Sequence, residues 1–377
     1  MHTAINDRLL SGCRLMDAFA QRTGLLGTDG NIRRRYLWTD AFAVQNFLQL
    51  GQHVDPLYTS LAKRLIEEVH NQLGKFRDDD IRTGWISGQE PAIGRQHPTI
   101  GGLRIGKELP ERKVSEPYDE KLEWSRDGQY FHYLSRWMHA LSDAAQYTGE
   151  MNYAEMAGDL LEVSSKFIHT SDGRVRMYWK MSTDLSRPLV SSMGAHDPLE
   201  GLVSAYRIMH LVPARSDKIL PMINLFKSCS KGMDWSTTDP LGIGGLLINL
   251  SVMIELENFI EDIPSQVRPR KLYSDCLYGL EVYRRIHEQH LEAGRRLAFR
   301  ECGLSAGLRA VQFISSENHT SNLSLQDLER YSFLADEIEA FWRLPLNQQT
   351  PSWMLHQDIN SVMLASSLVT GEGMLNH

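Results

Sequence analysis

The chain has 377 residues, 42% apolar and 23% charged, with a formal net charge of −7. This is the composition of a globular chain able to bury a core, and its acidic balance supplies no basic footprint for nucleic acid. The N-terminal MHTAINDRLLSGCRL lacks the basic-then-apolar order of a signal peptide. No run of eighteen apolar residues predicts a membrane span, and Cys13, Cys229, Cys276 and Cys302 are too scattered for a zinc knuckle or a disulfide framework. A cytoplasmic chain with buried free thiols is expected.

Twelve helical segments follow in order, and they alternate in charge. Those near 5–22, 55–75, 151–169, 216–231, 270–292 and 325–343 carry charges throughout. Those near 36–53, 130–147, 199–212, 241–255, 304–315 and 354–370 are almost uncharged; LGIGGLLINLSVMIE holds only Glu255. A helix apolar on most sides is buried, whereas one with a single apolar stripe lies outside. The alternation therefore predicts six inner helices wrapped by six outer ones, in a single domain over residues 1–377. Links into the inner helices are mostly long, at 23–35, 77–126, 171–193, 232–240, 293–303 and 344–353, and long structured loops on a rigid scaffold tend to carry function. The sequon Asn318-His319-Thr320 has no weight without secretion.

Three Asp-Pro-Leu echoes, at Asp55, Asp197 and Asp239, each read as a helix start. The Asp accepts from free backbone N–H groups and Pro suits the next position. Glu200 stands three residues after Asp197, the spacing of a capping box. Two loops are elaborated. One holds HPTIGGLRIG, whose glycines permit tight turns and close backbone approach. The other, from Gly173 to Met181, alternates like a strand, with Arg187–Val190 as its expected partner.

The inner-helix starts collect acids, histidines and aromatics: Trp38 and Asp40; Asp127, Tyr130 and His132; His196 and Asp197; Asp239; Trp353, His356 and Asp358. With His97 and Arg104 from the long linker and Trp179 and Lys180 from the hairpin, these residues suit a sugar cleft. Aromatic faces stack on sugar C–H surfaces, and carboxylates bond hydroxyls or act as acid and base. Arg104, Lys107 and Lys180 hint at an acidic sugar. The run Asp78-Asp79-Asp80 sits in RDDDIRTG and reads as a solvated turn.

Alternating inner and outer helices, hairpin-like loops and acid/aromatic inner starts together resemble the six-hairpin glycosidase superfamily. The resemblance implies an all-α (α/α)6 toroid with small β-hairpin excursions. It also implies a carbohydrate-active enzyme acting on a small or acidic sugar; the scattered Cys and His residues, the acidic charge and the lack of a long apolar run point to no metal or other cofactor and no nucleic-acid or membrane partner. Within it, three chemistries fit. Glycoside hydrolysis would use paired carboxylates, Asp127 and Asp197 first, then Asp40 and Asp358. A sugar 2-epimerase or isomerase would use the His196 and His356 pair. A lyase would draw on Tyr130, His132 and Arg104. Trp38, His97, Arg104, Tyr130, His132, Trp179, Lys180, Asp239 and Trp353 are the expected binding residues. A non-catalytic sugar-binding or scaffold protein is the remaining alternative.

Overall fold

Burial follows the charge pattern. The computed structural model describes residues 2–27, 33–286, 291–316 and 323–370, so the sequon at 318–320 lies outside the described residues. The long helices, in order, are α1 His2–Arg22, α2 Leu37–His53, α3 Leu57–Leu73, α4 Phe131–Thr148, α5 Asn152–Val163, α6 Asp197–Leu211, α7 Ser216–Cys229, α8 Pro240–Leu256, α9 Pro269–Ile286, α10 Ala298–Ser316, α11 Ser332–Arg343 and α12 Gln357–Val369. The even-numbered helices are sunk along most of their length, and the odd ones keep an exposed charged face. The fold is all-α with small antiparallel strands, as the sequence predicts.

Contacts gather into two compact units. The first comprises Met1–Thr28, Gln45–Ser60 and Gly232–His377; the second comprises Asp29–Val44 and Leu61–Lys231.

In the first unit α8 packs on α9 and α10, α10 on α11 and α12, and α12 on α1. Ile243, Leu246, Leu247, Leu250 and Met253 of α8 are fully buried, each such side chain contributing about 1.5–3 kcal/mol. Pro240–Phe259 is long and apolar enough to span a bilayer by composition; here it is packed within this unit. Backbones of α8 and α10 touch because glycines face each other. A Cβ on Gly244 would stand 2.1 Å from the Gly303 carbonyl oxygen, and one on Gly307 would stand 2.6 Å from that of Gly244.

The start of α10 departs from expectation. The sequence places 293–303 in a loop, yet the helix begins at Ala298. Its charged first turn is tolerated inside because Glu301 is neutralised. The carboxylate accepts three bonds from Arg296, at 2.9, 3.2 and 2.7 Å, and one at 2.7 Å from the Trp342 indole. Ser305 and Arg309 therefore lie well inside the helix, where Arg309 grips Glu339 at 2.8 Å.

In the second unit α4 packs on α5 and α6, and α6 on α7. Gly149 ends α4 in the left-handed conformation (φ 73°), its N–H returning to the Ala145 carbonyl, the ordinary glycine stop. Two small sheets sit in the loops: β2 Ile168–Ser171 with β3 Arg174–Met177, and β1 Gln129–Tyr130 with β4 Lys180–Met181 and β5 Pro188–Val190. The predicted hairpin is thus redistributed. Asp172 and Gly173 both have positive φ, forming a tight turn of the kind hairpins favour. Arg174–Met177 consequently folds back on Ile168–Ser171, and only Lys180–Met181 meets Pro188–Val190.

The echoed helix starts diverge too. Asp55 and Asp239 cap as expected, accepting from Leu57 at 2.8 Å and Gly242 at 3.1 Å. Asp197 instead lies within the first turn and accepts from Gly194 behind it, and Glu200 does not close a capping box.

The glycine contact generates a stability prediction. Gly244→Ala should lower thermal stability by about 1–3 kcal/mol, the usual cost of overpacking. Gly294→Ala, where a Cβ meets nothing within 4 Å, should leave the melting temperature unchanged.

Candidate functional site

The second unit assembles an aromatic cluster around the starts of α2 and α4. Tyr36, just before α2, bonds the hydroxyl of Tyr133 at 2.5 Å. Tyr133 in turn lies 5.3 Å from the rings of Trp38 and Tyr130 and 4.7 Å from that of His132. Trp179, between β3 and β4, stacks near His132 at 5.9 Å and Tyr130 at 5.5 Å, and Trp124 meets it edge-on at 5.1 Å. Trp38 and Tyr130 are buried, whereas Tyr36, His132, Tyr133 and Trp179 keep an exposed edge and Trp124 is exposed. Such a surface offers π faces to sugar C–H groups or other flat apolar ligands. Lys107 lies 5.2 Å over the Tyr36 ring, within cation–π range.

Beside these rings is a polar group. Glu200, one turn into α6, accepts from Ser135 at 2.6 Å and pairs with Arg136. Arg136 also reaches the face of Trp38. The Nδ1 of His132 accepts from the Trp179 indole N–H at 3.2 Å. An indole only donates, so the neutral imidazole carries its proton on Nε2. Withheld solvent holds its pKa down to about 4, against an opposing pull from Glu200. His132 is therefore neutral at physiological pH and presents an N–H donor. Asp197 behaves oppositely: burial first, then the neighbouring Glu200, pushes its carboxyl up to about 8. Glu200 thus sits electrostatically between the two.

The other expected site residues divide clearly. Asp127 is wholly buried and saturated, accepting from Arg104 at 2.5 Å and from the backbone N–H groups of Gly106 and Gly128 at 3.0 and 3.1 Å. Arg104 is spent on Asp127 and on the carbonyls of Gln72 and Lys75. Lys180 is wholly buried, donating to Glu123 and to the Arg126 carbonyl; burial lowers its pKa against the pull of Glu123. Asp40 accepts from the Tyr36 backbone at 3.1 Å and pairs with Arg35. These four are all bonded within the protein, and of the basic residues expected at an acidic sugar Lys107 stands beside the exposed Tyr36 ring. His97 contacts Asp159 on α5 at 3.2 Å, and no aromatic contact ties it to the cluster. His196 precedes α6 and is half-buried.

Four expected residues belong to the first unit. Asp358 pairs with Arg22 at 2.9 Å, His356 is exposed before α12, and Asp239 is the cap of α8, bonded to Arg300 at 2.5 Å. Trp353, in the same unit, is a core ring stacked on Trp342 at 5.6 Å, with no face left for a ligand. The acidic run is neutralised as a turn: Arg77 holds Asp79 and Arg82 holds Asp80.

Tyr36 and Glu200 stand at the inner-helix starts the sequence singles out, but without an assigned role; Tyr133 and Arg136 were not named. Their signal was available, since all stand within one turn or so of an inner-helix start.

No family model matches the chain, and no curated protein matches it. Among solved structures, a crystal structure of D-mannose isomerase is similar with a TM-score of 0.48 and 11% identity, covering 90% of this chain and 86% of that one.

Two predictions follow from the electrostatics. Arg104→Met removes the nearer ion partner of buried Asp127, leaving Arg77 at 3.7 Å, and should cost up to about 3–5 kcal/mol, read from urea unfolding. The second concerns pH. Asp197 keeps its proton in the folded chain up to about 8, whereas the unfolded carboxyl releases it near 4. The unfolded state binds fewer protons in that window, so stability falls as pH rises from about 4 to 8, by up to about 1.4 kcal/mol per unit. Asp197→Asn should flatten the dependence, measured as unfolding free energy at several pH values.

Proposed function

We propose that this chain is a carbohydrate-processing enzyme that relocates a proton on a small sugar, as in an aldose–ketose isomerisation or an epimerisation beside a carbonyl. The observation carrying this reading is the opposed tuning of two groups around Glu200. His132 is neutral and donates through Nε2–H, while Asp197 is a carboxyl poised near the working pH. A neutral imidazole can polarise a carbonyl oxygen without surrendering its proton. A carboxylate whose pKa lies near ambient pH is suited to lifting a carbon-bound proton and returning it one carbon away. The enediolate between these steps is anionic, and Arg136 and Lys107 supply nearby positive charge. The exposed rings of Tyr36, Tyr133 and Trp179 would seat the sugar's apolar face. The pair differs from the His196 and His356 pair first expected for this chemistry.

Hydrolysis of a glycosidic bond is the second reading, favoured by Asp197 and Glu200 as neighbouring carboxyls. It ranks lower for two reasons. Asp127, the other leading carboxylate, is saturated by Arg104 and two backbone donors. Asp197 and Glu200 stand one turn apart on a single helix, whereas glycosidases place their carboxyls on opposite sides of the bond. The single-domain (α/α)6 organisation of residues 1–377 is part of the same proposal, and predicts one cooperative unfolding transition by circular dichroism and fluorescence alike.

Incubation with a panel of aldohexoses and ketohexoses in D2O, followed by NMR, tests the reaction. Deuterium should enter at the carbon beside the carbonyl. His132→Phe and Asp197→Asn should each lower kcat by about 10²–10⁴-fold. The rate should rise with pH through about 8 as Asp197 ionises to its basic form. Release of reducing ends from glycosides without deuterium exchange would transfer the assignment to hydrolysis. Saturable sugar binding with no product would make the chain a binding protein.

A further inference from the structure

The first unit holds an open pocket of about 390 Å³ between the end of α9 and the starts of α8 and α10. That volume lies within the range of small-molecule sites. Its wall is mixed. Ile286 and Leu297 contribute apolar surface and Tyr283 a ring, and three arginines, Arg295, Arg296 and Arg300, line the remainder with Glu301. The arginines are not equivalent. Arg296 is buried, committed to Glu301, and lies 3.8 Å over the Phe341 ring. Arg300 gives one nitrogen to Asp239, at 2.5 Å, and is otherwise half-exposed. Arg295 is exposed, and no hydrogen bond or ion pair engages it among the described residues.

Three guanidinium groups face one lining carboxylate, and that carboxylate is already neutralised by Arg296. Arg300 is paired with Asp239 and Arg296 with Glu301, so among the described residues the uncompensated positive charge is that of Arg295, at the rim where α8 and α10 begin. Long helices present partial positive charge at their N-termini, which adds to the same sign. A phosphate group matches this arrangement better than a neutral sugar, because the Arg295 fork and the Arg300 nitrogens not given to Asp239 can donate together to its oxygens. The apolar wall beside the rim suits the body of a small molecule.

We infer that this pocket binds a phosphate monoester of a small metabolite, with the phosphate on Arg295 and Arg300 and the organic body against Ile286, Leu297 and Tyr283. The site is carried by other residues than those proposed for proton transfer, so either assignment can fail alone.

Isothermal titration of the full chain with glucose 6-phosphate, inorganic phosphate and glucose tests it. Glucose 6-phosphate should bind saturably, and Arg295→Ala should weaken it at least tenfold without altering the melting temperature. Arg300→Ala should weaken it as well, although loss of the Asp239 contact can lower stability. Arg174→Ala, an exposed arginine of the second unit, should bind as the parent does. Inorganic phosphate binding as tightly as the ester supports the site and makes the free anion its ligand. No saturable binding of either phosphate, or equal loss in the Arg174 and Arg295 variants, overturns the inference.

Discussion

A single buried carboxylate organises the second unit. Asp127 has no access to water and takes its compensation from Arg104, from Arg77 at 3.7 Å and from the backbone of Gly106 and Gly128. An uncompensated charge there would cost several kcal/mol, so the 101–107 segment must thread past the start of α4. That path in turn fixes neighbours: Ile105 accepts from Leu37 at the start of α2 and donates to Gly128. Glycines make the passage possible. A Cβ at Gly106 would stand 2.1 Å from the Arg35 carbonyl oxygen, and one at Gly102 would stand 1.9 Å from the Gln129 side chain; both glycines have positive φ. Tyr36, Lys107 and Tyr130 are thereby delivered to one aromatic cluster.

The first unit solves a similar problem with paired charges inside. Glu339 accepts from Arg309, Ser305 and Ser367, and Glu301 from Arg296 and Trp342. Each carboxylate is surrounded by donors, which is the condition under which a buried ion is tolerated. Facing glycines on α8 and α10 then allow backbone contact that larger side chains would prevent. The same charged stretch at 295–301 that enters the core through Arg296 and Glu301 leaves Arg295 and Arg300 at the rim of a pocket.

The division of the ionisable residues is informative about function. Asp127, Arg104, Lys180 and Asp40 are all locked in structural bonds, although their types and positions suggest chemistry. His132 and Asp197 are less constrained by partners and more by desolvation, and that is what moves their protonation in opposite directions. Perturbed pairs of this kind concentrate at functional sites, because the energy of withholding solvent is available to chemistry once a ligand arrives.

Helix existence and the buried or exposed character of each helix were legible in the sequence, because burial selects against unpaired charge and the chain displays that selection residue by residue. The caps at Asp55 and Asp239 and the glycine stop at Gly149 were legible for a local reason: backbone N–H and C=O groups at helix ends need partners a few residues away. The start of α10, the strand pairing around Gly173 and the role of Asp127 were not. Each depends on a partner remote in the chain: Trp342 for Glu301, β1 for Lys180–Met181, Arg104 for Asp127. Residue type alone cannot distinguish a carboxylate that anchors a loop from one that carries a proton. Only the tertiary structure decides, by setting which carboxylates meet an opposite charge and which, like Asp197, are withdrawn from water with only a backbone donor.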